Sequence, residues 1–454
     1  MKFLTLPTTA SPFDVFVKFY RRYKNVFILE SVEGPNKLAR YSFIGFDPNF
    51  TFKAKNGTLT IHNERTRETE TIRIEDPLSA VRQFACNWKI KGSRSRFAGG
   101  CVGYISYDAV RYWERLPKIS VDDLGYPDIE MGVFEDGIIF DHKNREAYYF
   151  FISENRYDEI CKVLEEKDNC SDTLEFTEPK VHSEKRCFEN SVLMAKEYIQ
   201  MGHIFQVVLS KRYDFNVNGD LIPFYAALRR INPSPYMYFI KIGDHAIVGS
   251  SPEMLIRVEE GLIETYPIAG TRPLIDDPAE NRLLERDLLS DPKECAEHVM
   301  LVDLARNDLG KVSEPGTVMV PSFMEVHKYS HVQHIVSRVT GKLRRDRDCY
   351  DALKAVFPAG TVSGAPKVRA MEIIEELEPV RRGPYAGAVG YFSFNGNADF
   401  AITIRTLIAS SSRAHIQVGA GIVADSNPER EWFETEYKAK ALFRALEISQ
   451  GGIP

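Results

Sequence analysis

From Asn25 to Ser153 the chain offers one strand-like run after another, joined by short turns. NVFILES, ARYSFIGF and NFTFKAK lead through Asn56-Gly57, a hairpin signal, into TLTIHN. GGCVGYISYD and the hairpin-like MGVFEDGIIFDHKNREAYYFFIS follow, and only the segment opened by Asp76-Pro77 reads as a helix between them. Parallel neighbours need a crossover of a dozen or more residues, so strands joined this closely must pair antiparallel. With the helices and three closing strands of the later chain, this predicts an α+β fold of large antiparallel sheets flanked by helices. The polar run DNCSDTLEFTEPKVHSEK has no apolar period. It divides the chain into a region over 1–165, a connection over 166–186 and a region over 187–450.

At 454 residues the chain can bury a large core. A net charge of −6 with 27% charged residues gives no basic stripe for nucleic acid and points to a small-molecule ligand. Seven cysteines without a C-x-x-C pair predict reduced thiols and a cytoplasmic protein. The opening residues lack a signal-peptide core and no run reaches membrane-spanning length, so no membrane association is expected.

Chemistry concentrates between Glu264 and Lys311. There the expected tight turn PIAGTRP precedes two capped helices, the second opening on Asp291-Pro292 with Glu294 and Glu297 one turn apart. Near the end, Asn427-Pro428 opens another helix with Glu431 and Glu434 at the same spacing. Two such pairs suit a hard divalent cation, magnesium rather than zinc, because the ligands are all oxygens. A capping box accounts equally for Glu294, and an i,i+4 ion pair with Lys438 for Glu434. Spacing alone does not choose.

His327, His331 and His334 would share one face of a helix and would diverge on a strand. One of them suits a general acid, ordinary hydrogen-bonded histidines being the plainer reading. The glycine turns AGTVSGAPK and VGAGIV could bring backbone N–H groups to an anion, though neither is a nucleotide fingerprint. Arg405, expected inside the strand ADFAITIRTLIA, needs either a bound carboxylate or a buried acidic partner. GCVGYISY at Gly100 and GAVGYFSF at Gly387 echo one another.

These motifs, with LES, IFQVVLSKR, NPSPYMYF, SSPE, KECAEHVMLVDLARNDLG, AGTVSGAPKVRAME, IRT, QVGAGIVADS and the final E-x-x-E helix, resemble the chorismate-utilising enzymes along nearly the whole chain. The resemblance is nearest to the anthranilate synthase component I group. It implies two packed antiparallel sheets with helices outside, a magnesium cofactor, and conversion of chorismate and ammonia to anthranilate and pyruvate at the entry to tryptophan synthesis. Isochorismate-forming relatives carry a lysine where this chain has Gln206, and many aminodeoxychorismate synthases carry one where it has Ala269. Component I of the latter is the alternative reading. A non-catalytic tryptophan-binding module is a third.

Residue by residue, the resemblance makes Glu297 and Glu434 metal ligands supported by Glu294 and Glu431. It makes His334 the acid beside Thr361, and gives the substrate carboxylates to Gly270, Thr271, Tyr385, Arg405, Gly419, Ala420 and Gly421, with Lys438 assisting. Glu30, Ser31, Asn232, Pro235, Tyr236 and Met237 match a regulatory tryptophan site. No glutaminase cysteine is recognisable, so glutamine would serve only through a separate amidotransferase subunit. His203 and Leu274 depart from the usual Asp and Arg of the group.

Overall fold

The computed structural model describes residues 1–31, 40–88, 90, 95–166, 173–329 and 332–452. His331, Cys170 and the neighbouring part of the 166–186 connection lie outside the described residues. Two sheets, of 13 and 12 strands, form the body, and apart from one isolated bridge at Val121 and Val380 the pairing is antiparallel. Both draw strands from before and after the connection. In the first, Val26–Glu30 lies beside Tyr236–Ile242, and the order continues through His245–Ser251, Thr406–Ser410 and Arg413–Ile422 to Gln206–Gly219. In the second, Ile268–Pro273 and Val332–Lys342 stand at one end, and Ala398–Ile402, Ala388–Ser393 and Gly100–Ile105 run through the middle.

The main core lies between the sheets, where alternate side chains of both meet. Phe27 of the first sheet meets Phe134 of the second edge to face with ring centroids 4.8 Å apart, and Phe43 meets Tyr391 at 5.8 Å. Each such burial stabilises the pairing of layers by roughly 1.5–3 kcal/mol. A second core covers the outer face of the first sheet with the helices Pro12–Arg22, Ile222–Ile231 and Pro428–Ser449. The amphipathic first of these is closed by a capping box between Ser11 and Asp14.

The two echoing segments are direct neighbours in the second sheet, with Gly103 opposite Gly390. Six cysteines fall among the described residues, all free.

Three local expectations are corrected. ADFAITIRTLIA is two strands in two sheets, Ala398–Ile402 and Thr406–Ser410, and the chain passes between layers at Arg405, whose φ of 53° is left-handed. PIAGTRP is an extended strand with a register shift between Ala269 and Arg272, not a tight turn. VGAGIV is likewise extended: Gly419 and Gly421 pair with Ser210 and Val208 in the ladder. In the last two cases inter-strand pairing outweighs the local glycine signal.

Candidate active site

The Pro292–Gly310 helix starts as its sequence dictates: the Asp291 carboxylate accepts from the amides of Lys293 and Glu294 at 3.0 and 3.3 Å. Glu294 does not close a capping box. Its carboxylate accepts from Arg272 at 3.3 Å and lies over Gly270, where an added Cβ would stand 3.1 Å from Glu294 Oε2. Gly270 also has φ 66°, a left-handed backbone that favours glycine there. One turn on, Glu297 accepts from Gln206 Nε2 at 3.0 Å. Burial raises the Glu297 pKa, and the charges of Glu294 and Glu434 raise it further against the pull of Gln206 and Lys293.

The Pro428–Ser449 helix begins at Asn427, whose side chain accepts from the Arg430 amide at 3.1 Å. Burial likewise raises Glu431, and Glu434 adds to it, while Ser426, Lys438 and Lys293 act the other way. Glu434 forms the i,i+4 pair with Lys438 at 2.7 Å, and that lysine also donates to the Gly419 carbonyl at 3.0 Å. Glu434 thus acts on Glu297, and Lys293 acts on both Glu297 and Glu431. The two helices, far apart in sequence, set their carboxylates within each other's fields.

Among the described residues, no three His, Cys, Asp or Glu side chains are gathered to hold a metal ion as they stand. The donor set nonetheless fits a hard divalent cation. All its atoms are oxygens, and two of its members have raised pKa values because their charges are desolvated and incompletely compensated.

His334 lies on the Val332–Lys342 strand directly opposite His327, so the shared helical face does not exist. His334 Nδ1 is 2.7 Å from the Gly270 carbonyl and 3.2 Å from Thr271 Oγ1. A carbonyl only accepts, so Nδ1 carries the proton and Nε2 is the nitrogen left for chemistry. Tyr329 packs edge-on against the ring at 5.6 Å. Burial lowers the His334 pKa, the Gly270 carbonyl opposes this, and the Arg405 guanidinium lowers it further.

Among the described residues no carboxylate pairs with Arg405, and its desolvation depresses its pKa. A half-buried guanidinium without a counter-charge among the described residues is a ready site for an anionic ligand. An added Cβ on Gly419 would stand 2.7 Å from Tyr385 Oη, and one on Gly421 would stand 2.7 Å from Gln206 Nε2. Gln206 therefore touches both the Gly421 backbone and Glu297.

Sequence reading missed Glu253, the acid of SSPE. With Thr361 it lines a small cavity of about 50 Å³ walled by Tyr266, Leu301 and Leu304. Burial pushes its carboxyl up to about 7, against the pull of the Thr361 hydroxyl and the Lys438 ammonium. Among the described residues Thr361 Oγ1 is buried and meets no partner at strict hydrogen-bond geometry, so its hold on the Glu253 carboxyl is a loose one. The available signal was a carboxylate set among apolar residues.

Glu30, Ser31, Pro235, Tyr236 and Met237 line a separate small cavity of about 50 Å³ with Arg96, Arg257 and Tyr391. The Glu30 carboxylate is engaged by Arg229 Nε at 2.6 Å and Tyr225 Oη at 2.8 Å. Asn232, of the same motif, instead donates to Ser250 Oγ at 2.8 Å.

The chain belongs to the chorismate binding enzyme family, whose profile matches residues 24–444. Within that class it is 50% identical over 441 residues to anthranilate synthase component 1 of Methanothermobacter thermautotrophicus, covering 97% of this chain and 93% of that one. The crystal structure of anthranilate synthase component I from Streptococcus pneumoniae superposes with a TM-score of 0.80 at 38% identity, covering 97% of this chain and 98% of that one. The menaquinone-specific isochorismate synthase of Escherichia coli, at 20% identity and TM-score 0.72 over 98% of this chain and 94% of that one, shares the fold. Among the described residues no helix is long and apolar enough to cross a membrane.

Proposed function

We propose that this protein converts chorismate and ammonia to anthranilate and pyruvate, as a cytoplasmic enzyme of tryptophan biosynthesis whose ammonia comes from a glutamine amidotransferase subunit. The reading is carried by Arg405, which pairs with no carboxylate among the described residues and acts on His334, and by the carboxylates of two distant helices, which act on one another. The substrate is a dicarboxylate. Arg405 and Tyr385, the backbone from Gly419 to Gly421, and Gly270 with Thr271 form the cradle for its carboxylates, with Lys438 at the rim. Magnesium held by Glu297 and Glu434, with Glu294 and Glu431 in support, would neutralise the ring carboxylate and draw electron density from the ring.

In the empty protein, burial and Arg405 favour neutral His334. A bound dianion compensates Arg405 and raises the imidazole's proton affinity, so His334 becomes protonated at Nε2 as substrate arrives. It can then give that proton to the departing ring hydroxyl, which leaves as water, with Thr361 close by. Ammonia adds at the ring carbon beside the carboxylate-bearing carbon and loses a proton. Loss of the ring hydrogen and release of pyruvate complete the aromatic product. Gln206, a neutral amide where water-activating relatives have lysine, and Ala269, which cannot attack the ring, both favour direct amination.

The pocket at Glu30, Ser31, Pro235, Tyr236 and Met237 is the proposed site of feedback inhibition by tryptophan. Chorismate, ammonium and magnesium supplied to the chain alone should give the fluorescence of anthranilate, lost in Glu297→Gln and His334→Ala. A 4-amino product or isochorismate, identified by mass and chromatography, would refute the assignment.

A further inference from the structure

Near its start, the Pro292–Gly310 helix is tied to the strands beneath it by side chains. Asp291 and Glu294 hold Arg272, and Glu297 holds Gln206. Every one of these ties uses a carboxylate, and those of Glu294 and Glu297 would be given up if the two side chains turned toward a cation. A further tie does not: His298 Nε2 lies 2.6 Å from Ser337 Oγ, with both residues fully buried. The same hydroxyl accepts from the amide of Met324, whose left-handed φ of 56° marks an irregularity in the neighbouring strand. The Ser337 amide donates to the Pro267 carbonyl at 3.2 Å.

Ser337 is three residues from His334 on its strand, and Pro267 is three residues ahead of Gly270. The buried side-chain pair thus links the helix bearing Glu294 and Glu297 to the strand bearing His334, and the backbone amide of Ser337 ties that strand to the segment leading into Gly270 and Thr271. His298 Nδ1 has no hydrogen-bond partner among the described residues. For packing alone, an apolar side chain of similar volume would serve better, because it buries no unsatisfied nitrogen.

We infer that His298 and Ser337 are positioning residues, which hold the acidic helix at a fixed offset from His334 while its carboxylates rearrange around a ligand. The inference rests on the proposed amination chemistry and deepens it. Removing the tie lets the helix shift on its apolar contacts, and partners that orient ligands from behind are typically worth about 10–100-fold in metal affinity or activity.

The test compares His298→Leu, His298→Gln, Ser337→Ala and the His298→Leu/Ser337→Ala pair. It reads kcat and KM for chorismate, magnesium affinity of the substrate-free protein by calorimetry, and melting temperature. His298→Leu and Ser337→Ala should each lower kcat and magnesium affinity about tenfold or more. KM for chorismate and the melting temperature should stay near wild type, and the double variant should match the singles. His298→Gln, whose amide can reach Ser337, should recover most of the loss. Retention of kcat and magnesium affinity within about twofold in Ser337→Ala, the smaller change, overturns the inference. So do losses that add in the double variant, since the two would not act as a unit. A wild-type protein that makes no anthranilate defeats the functional proposal instead, and the calorimetric comparison still judges the pair.

Discussion

Replacing Arg405 by glutamine separates binding from folding more cleanly than any other change at the site. In the substrate-free protein the guanidinium pairs with no described carboxylate, and its desolvation already opposes the charged form. Removing it deletes no ion pair. Both Arg and Gln bear the same backbone cost at φ 53°, so the melting temperature should stay level or rise. Binding behaves oppositely. Losing one partner of a buried, hydrogen-bonded charge pair costs ~2–5 kcal/mol. Taking about 3 kcal/mol and roughly tenfold per 1.4 kcal/mol, chorismate affinity should fall on the order of a hundredfold. Calorimetric titration with chorismate and a thermal melt on the same sample measure both. Unchanged affinity, or a large drop in melting temperature with affinity intact, would show that Arg405 is a structural cation and that the substrate carboxylate is held elsewhere.

The acidic residues should show a trade between stability and activity. Glu297 and Glu431 bind their protons more tightly in the folded state than at the ordinary 4.5, so their stabilising contribution is complete below that pH and lost as pH rises through the raised values. Glu297→Gln and Glu431→Gln should therefore melt higher than wild type at pH 8 while losing activity; lower melting of both would refute the sign. Glu253, raised from 4.5 to about 7, predicts a fall in stability between those values as pH rises, and Glu253→Gln should flatten that part of a melting profile. Gly419→Ala would press on Tyr385 Oη at 2.7 Å, so kcat/KM for chorismate should drop by about 1–3 kcal/mol equivalent, with Gly310→Ala, where an added Cβ meets nothing within 4 Å, as the control that leaves kcat/KM intact.

Much of this was legible in the sequence where a local rule coincides with a global need. Asp291-Pro292 and Asn427-Pro428 announce helix starts because capping is local, and both acidic pairs sit where those starts place them. Asn56-Gly57 fixes its hairpin for the same reason. What stayed hidden depends on partners remote in the chain. Arg405 looked like a strand residue because its neighbours are β-formers, yet the strands on either side belong to different sheets. Glu294 met every requirement of a capping box, but Arg272 and the gap above Gly270 take its carboxylate. The histidine triplet had helical spacing on a segment that pairs as a strand. Glu253 was overlooked because neither charge nor spacing reports desolvation.

Carboxylates from the Pro292 and Pro428 helices are expected to close on one cation beside His334 and Arg405. A crystal grown with manganese as a magnesium surrogate, with data collected at the manganese edge, tests it directly. The account predicts a single anomalous peak between Glu297 and Glu434, abolished in Glu434→Gln. A peak bound by other residues, or none in a crystal of protein that turns chorismate over under the same conditions, would contradict it.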